Sequence, residues 1–254
     1  MKAAWFYIRL SAVIALFQAG AFILGVCVFP FVIGSTVERR QRRRRTLAGA
    51  GMQWFLSILG WVGLLDITIL NREELPSSPA IIIANHPTLF DALILQALVP
   101  NSICIAKRSL RRHPAFALSI YWLGYLTADL GVELMEDAIA ALSNGATLVV
   151  FPEGTRSTSL KAVDRFQRGA VSCAVRAGVP ICPVLLRCNA PILGRKEGIF
   201  ESVPQKYAMR VEIKPPLPVV SPPPERAIIP GLVRDMTAEL EKRYAFWLSL
   251  PLEH

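Results

Sequence analysis

The sequence predicts an α/β fold: a mostly parallel central sheet flanked by helices, with an N-terminal membrane-embedded helical segment. Two observations predict the sheet. Short apolar runs typical of buried strands alternate with helical patterns over most of the chain, and Gly or Pro residues punctuate them. Such alternation is typical of parallel sheets covered on both faces. The membrane segment is predicted because residues 10–37 carry no charge, and about 20 apolar residues span a bilayer core.

The predicted strands are runs of apolar, often β-branched, residues bounded by turn residues. Ala80–Asn85 is the clearest of them, because it contains three consecutive isoleucines and follows the turn formed by residues 76–79. The other predicted strands, in chain order, are Asp66–Leu70, Ser102–Ala106, Ala146–Phe151, Ile181–Arg187 and Ala208–Ile213.

The predicted helices have apolar residues at helical spacing and recognisable ends. Pro87 predicts a helix start, since proline at the first helical position loses no needed N–H, and the helix itself is assigned to Leu89–Val99. Glu133–Ser143 is followed by an Asn-Gly pair, a typical C-terminal stop. The other predicted helices are Pro114–Leu123, Ala162–Ala177 and Gly231–Trp247, and the proline-rich residues 215–224 predict a stiff connector.

Residues 1–65 are predicted to form membrane anchor helices joined by a polyarginine connector, and residues 66–254 to form the α/β domain, including a C-terminal helix. A second uncharged stretch, residues 46–65, contains four glycines and either crosses the membrane or lies at its interface. Between the two stretches, residues 39–45 hold six arginines, a marker of the cytoplasmic side. One span, two spans and a shallow hairpin in one leaflet all remain open; we favour an arrangement with the α/β domain in the cytoplasm.

The composition bears on partners and on metal chemistry. The net charge of +9 owes much to the arginine run. Nucleic-acid binding is one explanation of such a run, but the adjoining apolar segment favours anionic lipid headgroups, and we expect no nucleic-acid partner. The five cysteines are scattered, and none forms a C-x-x-C pair. We therefore expect small buried side chains in a reducing compartment, with neither disulfides nor a metal site.

The strongest candidate for proton chemistry is His86, one of three histidines in the chain. It follows the strand predicted at Ala80–Asn85, and Asp91 comes five positions later. At the start of the predicted helix, the Asp91 carboxylate would be close enough to fold back and contact the imidazole. A histidine held by a carboxylate can act as a general base at neutral pH. The alternative is a surface histidine beside a helix-capping aspartate.

A second polar motif, Phe151–Arg156, also follows a predicted strand. Its sequence is F-P-E-G-T-R, so it places Glu153 and Arg156 at a strand end. In open α/β sheets, ligands bind outside the carboxyl ends of the strands. We therefore expect the two motifs to meet around one site; the alternative for Glu153 and Arg156 is a structural ion pair at a turn.

Residues 66–215 resemble the lysophosphatidic-acid and glycerol-3-phosphate acyltransferase superfamily. His86 and Asp91 match its H-x4-D signature, and Phe151–Arg156 matches its F-P-E-G-T-R block. Weaker matches lie around Lys107 to Gly124, in the segment Phe166–Ala170, and in the strand Val179–Val184.

The resemblance implies that an acceptor hydroxyl attacks a fatty-acyl thioester, acyl-ACP or acyl-CoA, which serves as co-substrate in place of any cofactor. His86 is implied as the base and Asp91 as the group that orients it. The residues implied for substrate binding are Glu153, Gly154, Thr155, Arg156 and Lys107. Glu153 would contact the hydroxyl-bearing part of the acceptor or order the loop, Arg156 would hold an anionic headgroup, and backbone N–H groups of Glu153–Thr155 would serve the oxyanion.

The expected activity is that of a membrane-bound O-acyltransferase acting on a lysophospholipid hydroxyl, of the 1-acylglycerol-3-phosphate type. Family members with phosphate acceptors commonly have an arginine after the aspartate matched here by Asp129, but this chain has Leu130. An acceptor without phosphate, such as an aryl-polyene or amino-acid lipid, is therefore the alternative. A thioesterase-like hydrolase and a non-catalytic scaffold are the other classes; the chain has no G-x-S-x-G motif. The expected location is a bacterial inner membrane, with the catalytic domain on the cytoplasmic side and membrane lipids as partners.

Overall fold

The structure is a computed structural model that describes residues 2–77, 79–127, 132–157, 159–160, 162–190, 206–219 and 230–251. The chain forms two compact units. The first comprises Met1–Asp66 and Ala92–Ala138, and the second comprises Ile67–Asp91 and Ile139–His254. Both residues of the H-x4-D motif and the whole F-P-E-G-T-R motif therefore belong to the second unit.

The N-terminal apolar segment is helical. Helix α1 (Lys2–Ile23) continues through a π-helical turn (Leu24–Val28) into a short 3-10 helix (Phe29–Phe31). Among the described residues, Trp5–Phe31 is the one helical stretch long and apolar enough to cross a membrane, with a mean hydropathy of 2.4. Only 17% of its most apolar window is buried, whereas the core helix of a soluble protein is mostly buried.

The arginine run lies inside a helix, so its assignment as a connector between two helices is wrong. Helix α2 (Val37–Trp61) contains all six arginines and most of the second uncharged stretch, and the Thr36 side chain caps it by accepting from the Arg39 N–H. Arg44 and Arg45 are buried. Their Nε atoms donate to the carbonyls of Phe29 at 2.8 Å and Leu123 at 2.9 Å. Helical periodicity thus gives these two arginines a structural role in place of the lipid contact expected for the run.

The remainder of the first unit contains short elements. After α3 (Asp91–Leu98) come β3 (Ser102–Ala106), a 3-10 helix (Arg108–Arg112), α4 (Ala117–Leu123), β4 (Leu126–Thr127) and α5 (Val132–Ser143). Strands β3 and β4 pair in parallel. The two-residue strand β4 was not predicted, because so short a run gives no period of its own.

The sheet of the second unit is mostly parallel, which confirms the predicted fold class. Its strands are β1 (Leu65–Leu70), β2 (Ile81–Ala84), β5 (Thr147–Val150), β6 (Ile181–Cys188) and β7 (Tyr207–Ile213), in the order β1-β7-β6-β2-β5. Strand β2 pairs in parallel with both β5 and β6, and β7 runs antiparallel to β6. All four residues of β2 are buried. Helices α6 (Gly169–Ala177) and α7 (Pro230–Ser249) pack against this sheet.

Helix α6 begins at Gly169, seven residues later than predicted. The preceding segment is held by tertiary hydrogen bonds to its backbone. The N–H groups of Asp164, Phe166 and Gln167 donate to Glu153 Oε2, Glu241 Oε2 and the Pro152 carbonyl. In a helix that started at residue 162, the N–H groups of Phe166 and Gln167 would bond to the carbonyls four residues earlier. Here both are engaged elsewhere, so those intrahelical bonds do not form.

Helix α3 begins at Asp91, so the prediction that Pro87 starts it is wrong. The backbone N–H of Thr88 donates to Asp91 Oδ2 at 2.7 Å, and the Phe90 N–H donates to Thr88 Oγ1 at 3.2 Å. These bonds close a tight turn between Thr88 and the first residue of α3, with side-chain oxygens accepting from backbone N–H groups. The chain from His86 to Phe90 is therefore a turn that leads into the helix.

Tyr244 of α7 inserts its hydroxyl between the two central strands. The hydroxyl donates to the Ile83 carbonyl at 2.6 Å and accepts from the Val184 N–H at 3.0 Å. Pro183 lies opposite Ile83 in the register and has no N–H to offer the ladder. The tyrosine thus provides a hydrogen bond three residues before His86, at a point where the sheet lacks one.

Tyr244→Phe is expected to destabilise the protein by about 1–3 kcal/mol, because it leaves a buried carbonyl and a buried N–H without partners. Denaturant unfolding of the purified protein in detergent measures this loss. Tyr121→Phe is the matched control, since Tyr121 is 64% exposed. Equal stability of the two variants would contradict the role assigned to Tyr244.

Candidate active site

The site begins where β2 ends. Asn85 follows the last residue of β2, and its side chain bonds to both backbone groups of Leu186 in β6. The Asn85 Nδ2 donates to the Leu186 carbonyl at 2.8 Å, and the Leu186 N–H donates to Asn85 Oδ1 at 2.8 Å. This amide therefore continues the strand pairing by one residue and fixes the position from which His86 leaves the sheet.

His86 and Asp91 are in direct contact. The His86 Nδ1 lies 2.8 Å from Asp91 Oδ2. The Asp91 side chain is fully buried, whereas that of His86 is 19% exposed. When Asp91 is ionised it can only accept hydrogen bonds, so the pairing favours the tautomer with the proton on Nδ1 and the lone pair on Nε2. The ring is thus oriented to accept a proton at Nε2.

Asp91 is held by three donors. Besides His86, the Thr88 N–H donates to Oδ2 at 2.7 Å and the Thr88 hydroxyl donates to Oδ1 at 2.5 Å. Burial raises the pKa of the Asp91 carboxyl, and the hydrogen bonds from His86 and Thr88 oppose that rise. Thr88 thus fixes the carboxylate that fixes the imidazole.

Glu153 joins the two motif loops. It is buried. Its Oε1 accepts from the His86 backbone N–H at 3.0 Å and from the Ser157 hydroxyl at 2.8 Å, and its Oε2 accepts from the Asp164 N–H at 3.0 Å. Burial raises the pKa of the Glu153 carboxyl, and these donors oppose the rise. This geometry favours the loop-ordering role among the two expected for Glu153.

Ser157 was not singled out in the sequence, yet it bonds to both backbone groups of His86. The Ser157 N–H donates to the His86 carbonyl at 2.8 Å, and the Ser157 hydroxyl accepts from the His86 N–H at 3.2 Å. Its position directly after Arg156 was the only signal in the sequence. Together with Glu153, Ser157 holds the backbone of the residue that carries the base.

Phe151 contributes the face on which the imidazole lies. The two rings are stacked, with centroids 4.1 Å apart and planes inclined by 19°. Since Asp91 fixes one edge of the ring and Phe151 covers one face, the imidazole has little rotational freedom. Phe151 was part of the predicted motif but had no predicted role.

The other predicted site residues lie in two places. Gly154 adopts a left-handed conformation, with φ of 69°, and its N–H donates to the Phe151 carbonyl at 3.0 Å. That amide is thus engaged within the turn, so the predicted oxyanion site rests on its neighbours. Thr155 is exposed and Arg156 half-buried. Lys107 is exposed and immediately precedes the 3-10 helix of the first unit. Substrate binding by these residues stays a prediction, and Asp129 and Leu130 lie outside the described residues.

Comparison with known proteins agrees with the motifs. A family model described as Acyltransferase matches residues 66–187. The chain is 29% identical over 210 residues to 1-acyl-sn-glycerol-3-phosphate acyltransferase of Saccharomyces cerevisiae, covering 77% of this chain and 65% of the yeast protein. It is 31% identical over 150 residues to the human alpha enzyme of that name, covering 56% of this chain and 51% of the human protein.

A bacterial relative and a solved structure extend the comparison. The Pseudomonas aeruginosa 1-acyl-sn-glycerol-3-phosphate acyltransferase is 25% identical over 175 residues, which cover 66% of each chain. The crystal structure of the 1-acyl-sn-glycerophosphate acyltransferase PlsC from Thermotoga maritima matches with a TM-score of 0.69 and 22% identity, covering 100% of this chain and 97% of that one. At this identity, the structural match supports the fold alone. The sequence matches span between about half and two thirds of the curated relatives.

Proposed function

We propose that the chain is a membrane-bound O-acyltransferase of the lysophosphatidic-acid and glycerol-3-phosphate acyltransferase superfamily, and that it acts on the hydroxyl of a 1-acylglycerol-3-phosphate-type lysophospholipid. The single observation that carries this proposal is the 2.8 Å contact between His86 Nδ1 and the buried carboxylate of Asp91, at a site also ordered by Glu153. The printed names of the relatives support the acceptor class.

The proposed chemistry needs one base and no protein nucleophile. The His86 Nε2 takes the proton of the acceptor hydroxyl as its oxygen attacks the carbonyl carbon of the acyl thioester. The tetrahedral intermediate then collapses, the C–S bond breaks, and the imidazolium returns its proton to the leaving thiolate. The products are an ester and a free thiol, so atoms and charge balance. Asp91 stabilises the imidazolium during the interval, as the aspartate of a Ser-His-Asp triad does.

Substrate contacts are proposed for the exposed side of the same loop. Arg156 directly precedes Ser157, which is bonded to the His86 backbone, so its guanidinium belongs to the loop that holds the base. A guanidinium fork suits a phosphate group. Gly154 and Thr155 are the exposed loop residues proposed to contact the acceptor, and Lys107 is proposed to contact an anionic part of the donor. Acyl-ACP and acyl-CoA remain alternative donors.

A transfer assay tests the function. Purified full-length protein is incubated with radiolabelled oleoyl-CoA or oleoyl-ACP and with lysophosphatidic acid, and the lipid products are separated. We expect labelled phosphatidic acid, together with the free thiol of whichever donor is used. Labelled free fatty acid formed equally well without an acceptor would show a hydrolase and contradict the proposal.

The alternative acceptor is favoured by Leu130, which stands where phosphate-using members of the superfamily commonly have arginine. The same assay with long-chain alcohols or amino-acid lipids that lack phosphate distinguishes the two. If a phosphate-free acceptor is used in preference to lysophosphatidic acid, the acyltransferase reaction stands and the acceptor class changes.

We also propose that the stretch Trp5–Phe31 anchors the protein in a bacterial inner membrane, with the catalytic domain in the cytoplasm. The support is that six arginines follow this stretch within residues 39–45, as expected of the cytoplasmic side. A C-terminal green fluorescent protein fusion should therefore fluoresce, and a C-terminal alkaline phosphatase fusion should be inactive. The reverse pattern would contradict this orientation.

Ser157→Ala is expected to lower kcat by roughly 10- to 100-fold while KM changes little, because small misplacements of a catalytic group are costly. The variant loses the hydroxyl that bonds to the His86 N–H and to Glu153. Steady-state kinetics measure the effect. Ser157→Thr retains a hydroxyl and should restore most of the rate; a Thr variant as slow as the Ala variant would contradict the positioning role.

A further inference from the structure

The six arginines of α2 fall into groups with different surroundings. Arg44 and Arg45 face inward, and Arg40 bonds to the carbonyl of Gly34 at 3.0 Å. The other three, Arg39, Arg42 and Arg43, are exposed. Because their spacing is i, i+3 and i+4, they lie on one face of the helix. The buried pair thus explains only part of the arginine run, and the exposed set needs another explanation.

These exposed arginines line a groove of about 730 Å³ in the first unit. Its walls combine charged and apolar side chains. We call it the arginine groove and define it by six of its lining residues: Phe31, Ile33, Arg39, Arg42, Arg43 and Leu47.

The apolar wall of the groove is unusually exposed. Phe31 is 76% exposed and Ile33 is 78% exposed. Phe31 is also the last residue of the stretch that is long and apolar enough to cross a membrane. The arginine groove therefore begins where such a stretch ends, which is the level of the lipid headgroups when that helix spans a bilayer.

The charged wall is strongly positive and partly preorganised. Residues 1–65 contain eight Lys and Arg side chains and a single acidic one, Glu38. Arg43 Nη1 donates to the Ile33 carbonyl at 2.6 Å, and Arg39 Nη1 donates to the Ser35 hydroxyl at 2.9 Å. These bonds tie two guanidinium groups to the turn that precedes α2, and each guanidinium retains further N–H donors.

We propose that the arginine groove binds one anionic phospholipid of the membrane, with its phosphate among Arg39, Arg42 and Arg43 and an acyl chain along Phe31, Ile33 and Leu47. Guanidinium groups match phosphate oxygens in geometry and charge. A lipid with net negative charge matches this surface better than a zwitterionic lipid, whose cationic headgroup would face the same arginines. The apolar wall distinguishes a lipid from free phosphate. Lipid binding in the arginine groove is a property separate from the proposed acyl transfer, because it involves no reaction.

The test counts lipids retained by the full-length protein. Protein purified in a neutral detergent is mixed with equimolar dioleoyl phosphatidylglycerol and dioleoyl phosphatidylcholine, and native mass spectrometry gives the ratio of the two retained lipids. The wild type should retain one phosphatidylglycerol in preference. Arg39→Gln/Arg42→Gln/Arg43→Gln should lower the ratio by about 10-fold or more, since each arginine near an anionic surface contributes substantially.

A control variant removes the same charge elsewhere. Arg176, Arg234 and Lys242 are exposed residues of the second unit, and replacing all three with Gln should leave the ratio unchanged. Arg42→Glu alone keeps the bonds of Arg39 and Arg43 to the turn and should still lower the ratio by about fivefold. Equal ratios in the wild type and both groove variants would overturn the proposal, as would an equal loss in the control.

A phosphate arm separates a lipid site from a simple anion site. Inorganic phosphate at millimolar concentration should displace little phosphatidylglycerol from the wild type, because it cannot contact Phe31, Ile33 or Leu47. Full displacement by inorganic phosphate would show an anion site only and would also overturn the proposal. All of these measurements are made without an acyl donor, so failure here is distinguishable from failure of the proposed acyltransferase activity.

Discussion

His86→Ala is expected to abolish acyl transfer, with a fall in kcat of about 10²–10⁴-fold or more, the range supplied by a positioned general base. The variant removes Nε2, the only atom in the proposed mechanism that accepts the proton of the acceptor hydroxyl. KM for both substrates should change little, since the predicted contacts with the substrates come from other residues. Steady-state kinetics with lysophosphatidic acid and an acyl thioester provide the measurement.

Two controls separate chemistry from folding in this variant. His113→Ala removes a histidine of the first unit and should keep the wild-type rate. The thermal unfolding midpoint of His86→Ala should remain close to that of the wild type, because the Thr88 N–H and hydroxyl still bond to Asp91. A folded His86→Ala protein with full activity would rule out the proposed base.

Asp91→Asn is expected to lower kcat by about 10²–10⁴-fold, because loss of the carboxylate removes the charge that stabilises the imidazolium. The amide can keep the shape of the site, with its oxygen accepting from the Thr88 N–H and His86, and its NH2 facing the Thr88 hydroxyl. The loss of rate therefore reports the charge. Asp137→Asn, at an exposed position of α5, is the control and should leave kcat unchanged.

Asp91→Asn is expected to leave the stability of the folded protein intact at neutral pH. Burial raises the pKa of Asp91, so the ionised carboxylate is disfavoured in the folded state. In the wild type, the stability associated with this group is fully present below the ordinary aspartate pKa and is lost as the pH rises through the raised folded-state pKa.

The amide that replaces the carboxyl in Asp91→Asn does not titrate. The unfolding midpoint of the variant, relative to that of the wild type, should therefore be highest at neutral pH and should fall as the pH decreases towards the ordinary aspartate pKa. Thermal unfolding across this pH range measures the difference. A variant that is both inactive and strongly destabilised at neutral pH would indicate that Asp91 is chiefly structural.

The sheet was predictable because its signals are local. Three consecutive isoleucines in β2 allow little but a strand buried on both faces, and β3 matches its predicted bounds at both ends. The convergence of the two motif loops followed from the same logic, because β2 and β5 are parallel neighbours and their carboxyl ends meet at one edge. The imidazole of His86 was expected near Asp91 from spacing alone, and the 2.8 Å contact of its Nδ1 agrees with that expectation.

The predictions failed where backbone N–H groups bond to residues distant in the sequence, and where a charged side chain is buried. The N–H of Phe166 donates to Glu241, 75 residues away in the sequence, and no local sequence pattern predicts such a bond. Arg45 resembles its neighbours in sequence, but burial lowers its pKa to about 10 and its Nε bonds to the carbonyl of Leu123. Ser157 was missed because a serine after a charged motif is unremarkable until its contacts with the His86 backbone are seen.

The central claim is that His86 removes the proton of the acceptor, and an acceptor that needs no such help tests it most directly. A lysophosphatidic-acid analogue with a thiol in place of the hydroxyl is substantially ionised near pH 9, since an ordinary thiol has a pKa of about 8.5. The rates of the wild type and of His86→Ala are compared at that pH with each acceptor. A base at His86 predicts a large loss with the hydroxyl acceptor and a loss below about 10-fold with the thiol, because the ionised thiol needs no general-base assistance. Equal losses with both acceptors would show that His86 does not act as the base.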